Sequence, residues 1–205
     1  MNENTHAHDA RHRIVEAAAR VFAEAGYRGA TTRRIAQAAG VNEVTLFRHF
    51  GSKDELIREA LSHLGRGDDS PCLPRQPADP EAELTDFTRQ QLQRLYAMRQ
   101  LIRTCMGEGG ERPEMLPCAV DRPRWAHTEL RVYFRKLQQL GWADADADVD
   151  AAAAMLLGTL FSDAMGRDDM PDVFPHSIEE APVHYVRLIL GAVGVRPGRR
   201  VMEER

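Results

Sequence analysis

Apolar residues recur along most of this chain at intervals of three and four, the period of helices that bury one side. Ile14, Ala17, Ala18, Val21, Phe22 and Ala25 form the first such stripe, and Gly26 marks its end. Thr31 is placed to cap a second helix, with Ile35, Ala36 and Ala39 inward and Gly40 at its close. Asn42 caps a third helix of only two turns, which stops at Gly51. Ser52, with Glu55 three residues on, has capping-box spacing and opens a fourth helix reaching Leu64. The proline-rich stretch GRGDDSPCLPRQPADP then breaks the period and reads as a connection.

Beyond it, Asp79 caps a helix with Pro80 at its first position. Leu84, Phe87, Leu92, Leu95, Leu101 and Ile102 carry the stripe on, as one long helix or two broken ones, to Gly107. GEGGERPEMLP is a loop, Asp121 to Leu140 is helical, and Asp148 or Asp150 starts an alanine-rich helix ending near Met165. GRDDMPDVFPH is another loop, and Ser177 with Glu180 opens a last helix that ends near Gly194. With no hairpin signal and no β-branched run, the pattern predicts an all-α chain of about nine helices. The expected division is a head over residues 1–52, extended to 64 by the fourth helix, a connection over 65–79, a helical body over 80–196 and a polar tail over 197–205.

The third helix is too short to be an ordinary wall of a core. Leu46 and Phe50 anchor it inward, and at 100° per residue Val44 and Arg48 then lie on the opposite side, flanked by Thr45 and Phe47. Ala36, Gly40 and Val41 are slim enough for the second and third helices to cross closely, so the pair reads as a helix-turn-helix. An outward valine and phenylalanine gain little facing water, but fit the thymine methyls and sugars of a DNA major groove. Arg48 and His49 can meet guanine or phosphate, Thr45 can donate to phosphate, and Lys53 stands at a helix N-terminus, which favours an anion.

Charge sharpens this picture. The chain carries −4 overall, yet Tyr27 to Lys53 holds Arg28, Arg33, Arg34, Arg48 and Lys53 against Glu43 alone, so that window is +4 and the remainder −8. A cationic segment on an acidic body suits a protein with one small phosphate-facing surface. Apolar content of 43% and charged content of 28% are those of an ordinary globular protein. The most apolar stretch, Ala151 to Phe161, falls short of a membrane span, and the polar MNENTHAHDARH start is no signal sequence, so a cytoplasmic protein without a membrane role is expected. Cys72, Cys105 and Cys118 lack CxxC spacing and read as free thiols, with a redox sensor left open. His6, His8 and His12 crowd an N-terminus expected to be disordered and leave metal sensing open. HExxH, paired ExxH, GxSxG and Walker patterns are missing, so catalysis is not expected and no cofactor is called for.

The stretch GYRGATTRRIAQAAGVNEVTLFRHFGSKDEL, within residues 11–64, closely resembles the DNA-binding domain of TetR/AcrR-family transcriptional repressors. The resemblance implies a phosphate contact at Thr32 and a base reader at Arg33, with Arg34 beside them. It implies base-reading places for Glu43, Val44 and Phe47, and phosphate contacts for Thr45, Arg48, His49 and Lys53. Glu43 is the odd member: it either accepts from a cytosine amino group or serves the helix N-terminus. Phe47 departs from the family's usual tyrosine and loses a hydroxyl-to-phosphate bond, while Val44 replaces a common glycine or alanine. For the body the resemblance implies homodimerisation through the last two helices, with Leu157, Leu160, Phe161, Val186, Ile189 and Leu190 as the interface, on a palindromic operator. It also implies a pocket for a small-molecule inducer, for which Phe87, Leu95, Met98, Cys105, Met106, Trp125, Tyr133 and Phe134 are the candidates, Trp125 first among them, although aromatics and methionines at this spacing are more often plain core. Leu56 and Ile57, on the fourth helix, are expected to join head to body.

Overall fold

The computed structural model describes residues 3–65, 72–108 and 117–195, with side chains over 9–62, 72–107 and 123–195. The described residues form nine helices and no strand: α1 (Glu3–Gly29), α2 (Thr32–Ala39), α3 (Glu43–Phe50), α4 (Lys53–Gly65), α5 (Pro80–Ala97), α6 (Arg99–Glu108), α7 (Pro117–Gln139), α8 (Val149–Gly166) and α9 (Ala181–Ala192). The chain divides into two compact units, Met1–Asp69 with Gln100–Arg122, and Ser70–Arg99 with Pro123–Arg205.

In the first unit, α1 buries Ile14, Ala17, Ala18, Val21 and Phe22, the stripe its sequence predicts. The N-terminal segment, expected to be disordered, is helical from Glu3; the side chains of His6 and His8 lie outside the described residues, as does that of Cys118. Gly26 breaks the helical geometry at φ +65, and one short helical turn follows to Gly29. Thr31 Oγ1 accepts from the Arg34 amide at 3.2 Å, and Asn42 Oδ1 accepts from the Thr45 amide at 2.8 Å, so α2 and α3 open on the predicted caps. Between them Gly40 takes φ +66, a conformation that penalises any residue with a Cβ. Its neighbour Val41 donates to the Ala36 carbonyl at 3.0 Å, which closes the turn tightly. Leu46, Phe50, Leu56 and Ile57 are all buried within this unit. So is part of α6: Leu101 and Cys105 are 7% and 5% exposed, and Thr104 Oγ1 donates to the Ala23 carbonyl at 3.1 Å. The segment Gln100–Arg122 therefore groups with the head rather than with the rest of 80–196, through contacts that bridge some eighty positions of sequence.

In the second unit α5 packs on α8 and α9, and α7 adds Leu130, Tyr133, Phe134 and Leu137 to a core shared with Leu84, Phe87, Leu156, Val186 and Leu190. α5 starts on Asp79, whose carboxylate accepts from the Ala82 amide, while Glu83 accepts from the amides of Ala78 and Asp79. Ser177 and Glu180 form a reciprocal box, but α9 proper begins only at Ala181, after a short turn. α7 opens at Pro117, earlier than the apolar period marks. α8 has the length and mean hydropathy, 1.2, of a membrane span, and it buries one side, with Ala152, Ala153, Leu156, Leu160 and Ala164, in the core of this unit. It carries Asp163, fully buried, whose carboxylate accepts from Arg167 at 2.8–2.9 Å and from the Tyr185 hydroxyl at 2.8 Å. Burial, then the bond to Asp163, pushes the Tyr185 hydroxyl well above its ordinary value.

Candidate nucleic-acid interface

The outer edge of α3 is built by what its inner edge must do. Leu46 is fully buried and Phe50 nearly so, which fixes the rotation of an eight-residue helix and turns Val44 and Phe47 out to 76% and 45% exposure. For a valine and a phenylalanine on one short helix this is an apolar edge held against water at a cost of hydration. Arg48 lies beside them, exposed, and Arg33 is exposed on α2; neither makes a hydrogen bond or ion pair to another described residue. Two guanidinium groups and two apolar side chains are thus left for an outside partner.

Of the other six candidates, all but His49 are already engaged inside the unit. Thr32 Oγ1 donates to Glu43 Oε2 at 3.1 Å, which ties the start of α2 to the start of α3. Arg34 is paired with Glu24 of α1 at 2.9 Å. The Thr45 hydroxyl donates to Asn42 Oδ1 at 3.0 Å, inside the cap of its own helix. Lys53 donates to the Tyr27 carbonyl and lies 3.9 Å over the Tyr27 ring, while the Tyr27 hydroxyl donates to Asp54. His49 is half-buried with its Nε2 enclosed and without a partner, 6.1 Å from the Phe50 ring. Sequence spacing put all ten on one small region, but the pairings with Glu24 and Tyr27 depend on α1 and carry no local signal.

The candidates in the second unit separate similarly. Phe87, Tyr133 and Phe134 are core residues, 2%, 2% and 0% exposed. Trp125 is partly buried against Phe87, with ring centroids 6.2 Å apart, and Leu95 and Met98 are half-buried. Cys105 sits in the first unit and does not join them, because α6 turns its apolar side to the head; Met106, on the same helix, is exposed. A cavity of about 250 Å³ lies elsewhere, lined by Leu73, Pro74 and Arg75 and by Glu129, Val132, Tyr133, Arg135, Lys136 and Gln139; of the expected pocket it includes Tyr133 alone. Among the expected interface residues Val186, Ile189 and Leu190 are buried within the subunit, at 0%, 8% and 5%, as is Leu160, so they cannot supply an outer face. Phe161 is exposed and Leu157 half-buried. Their exposed apolar neighbours are Met155 at 64% and Leu188 at 73%, which sequence reading missed.

Comparison with known proteins bears on the same region. The family model described as "Bacterial regulatory proteins, tetR family" matches residues 14–60. The transcriptional repressor AcnR of Corynebacterium efficiens is 48% identical over 49 residues, 24% of this chain and 26% of that one. The transcriptional repressor Rv3405c of Mycobacterium tuberculosis is 46% identical over 52 residues, 25% of this chain and 28% of that one. The chain thus spans about a quarter of these relatives' length. Over the whole chain the likeness is one of fold. A candidate TetR-family regulator of Mesorhizobium loti superposes with a TM-score of 0.73 at 22% identity, over 94% of this chain and 100% of that one. The TetR-family regulator PfmR of Thermus thermophilus gives 0.62 at 29%, over 87% and 97%. The chain therefore carries the N-terminal domain of the tetR family of bacterial regulatory proteins, on the fold of a TetR-family transcriptional regulator.

Proposed function

We propose that the protein is a non-catalytic transcriptional repressor of the bacterial cytoplasm that binds a palindromic DNA operator as a homodimer and releases it when a small molecule binds. The observation that carries the reading is the edge of α3, where Val44 and Phe47 stand exposed beside an uncommitted Arg48. Val44 and Phe47 supply apolar contact to thymine methyls and sugars in the major groove, and Arg48 and Arg33 meet phosphate or guanine. Thr32, Arg34, Thr45, His49 and Lys53 flank that edge as further contacts, those with internal partners exchanging them for DNA. Glu43, bonded to Thr32, sets the α2–α3 crossing rather than reading cytosine.

A two-turn helix reads only a few base pairs, which is why two copies related by a two-fold axis are needed. Met155, Phe161 and Leu188, with Leu157 behind them, offer the apolar face on α8 and α9 through which the copies pair. An on-off response to the inducer needs the liganded and unliganded states to differ in operator affinity by only a few kcal/mol. A gel shift on the DNA flanking the protein's own gene tests the reading. One palindromic site, bound with a steep loss of affinity as salt rises, is the expected result. Failure to shift any genomic fragment would overturn it.

A further inference from the structure

The segment Leu73 to Arg75 crosses one face of α7, on which Glu129, Val132, Tyr133, Lys136 and Gln139 recur at helical spacing, and leaves the cavity of about 250 Å³ between them. That is roughly eight water volumes, room for a molecule of about ten non-hydrogen atoms. Its floor is rigid. Leu73 is 5% exposed and inserted in the core beside Tyr133, whose ring is held by its hydroxyl's bond to Glu83. Pro74 stiffens the strand of chain above it. One wall is apolar, made by Leu73, the Tyr133 ring and Val132, a valine left 42% exposed.

The rest of the lining is largely cationic. Glu129 is nearly buried, and its charge is offset by Arg75 at 3.8 Å. Arg135, at 3.3 Å from Asp150, shares that single carboxylate with Arg131. Lys136, half-buried, makes no ion pair among the described residues. Of the charged residues that line the cavity, Arg75, Arg135 and Lys136 are cations and Glu129 is the one carboxylate, while Asp150 lies beyond Arg135 and Glu83 beyond the Tyr133 hydroxyl; the lining itself thus carries a surplus of positive charge on a chain whose net charge is −4. A surplus of this kind beside an apolar wall is the complement of a small amphipathic anion.

We propose that this cavity is a binding site for a small organic monocarboxylate with an aromatic or branched apolar tail, the carboxylate held by Lys136 and Arg135 and the tail laid on Val132 and Leu73. The site uses none of the residues of the DNA-reading edge, so it stands or falls separately from the repressor reading.

The test is calorimetric titration of the full chain, without DNA, against benzoate, acetate, benzamide and benzylamine. Benzoate is expected to bind, with acetate weaker by about tenfold or more for want of a tail, and benzamide and benzylamine silent. Lys136→Met, at a half-buried position, and Arg135→Gln, at an exposed one, with folding checked by thermal melting, should each weaken benzoate by about tenfold. Val132→Asp, which sets a like charge on the apolar wall, should abolish it. Absence of benzoate binding, or binding that none of these variants changes, would overturn the proposal. Binding of benzylamine in its place would do the same, because it would make Glu129 the anchor.

Discussion

Replacing Val44 with alanine separates groove reading from mere proximity to DNA. The side chain is 76% exposed, so the free protein gives up almost no internal contact when it is shortened. Alanine also favours the helix by a few tenths of a kcal/mol, and the melting temperature should hold or rise slightly. On the operator the loss is of two methyl groups from a buried contact, at about 0.8 kcal/mol per buried carbon. Scaled by the 76% that is free to be covered, this comes to about 1.2 kcal/mol per half-site and about 2.4 kcal/mol for a symmetric dimer, near fiftyfold in affinity. Fluorescence anisotropy on the operator duplex and on a scrambled duplex of the same length measures both sides. The reasoning requires a large loss on the operator and almost none on the scrambled duplex. A change of less than about threefold on the operator, or equal losses on both, would show that Val44 does not touch bases.

Three further outcomes follow from single contacts. Arg48→Ala removes one uncommitted cation per subunit, so the slope of log affinity against log salt should flatten by about 1.8 for the dimer, on operator and non-specific DNA alike. Thr88 is fully buried on α5 with its hydroxyl unpartnered, so the near-isosteric Thr88→Val should raise stability by about 1 kcal/mol in urea denaturation, and a loss would mean the hydroxyl has a partner. Burial, then the bond to Glu83, pushes the Tyr133 hydroxyl above its ordinary value of 10.0, so its contribution is complete below pH 10 and drains as pH climbs toward the higher folded value. Melting temperature should therefore fall above pH 10, and fall less steeply in Tyr133→Phe.

What was legible in the sequence is what local chemistry dictates. Thr31, Asn42, Asp79 and Asp148 each bond an amide three residues on, a signal contained within four positions, and all four open a helix, Asp148 being one of two starts the sequence left open. The outward rotation of Val44 and Phe47 follows from Leu46 and Phe50 for the same reason. Pairings made across the fold carry no such mark. The ties from Arg34 to Glu24 and from Lys53 to Tyr27, the docking of Cys105 beside the head, and the meeting of Leu73 with α7 join segments far apart in the chain. A half-buried residue such as Lys136 looks in sequence like any surface lysine, because its setting is made by a loop some sixty positions earlier.

The last two helices show where periodicity alone misleads. α9 is apolar on more than one side, so the spacing of Val186, Ile189 and Leu190 marks a buried stripe without saying whether a core or a partner buries it. Here the core does, and Leu188, between two of them in sequence but on another side of the helix, is left 73% exposed. The two roles predict different failures. Burying a leucine is worth about 1.5–3 kcal/mol, so the exposed part of Leu188 amounts to about 1–2 kcal/mol, counted twice across a two-fold axis. Leu188→Glu should then weaken the dimer by some 30- to 700-fold or more, about 2–4 kcal/mol, and leave each subunit folded. Ile189→Ala should instead cost about 2–5 kcal/mol of folding stability, with dissociation only as unfolding begins. Sedimentation velocity across a dilution series, run beside urea denaturation of the same samples, distinguishes them. A Leu188→Glu protein that stays dimeric wherever the parent does would mean that the copies pair through some other surface, and the spacing of two reading helices on a palindrome would have to be explained without this face.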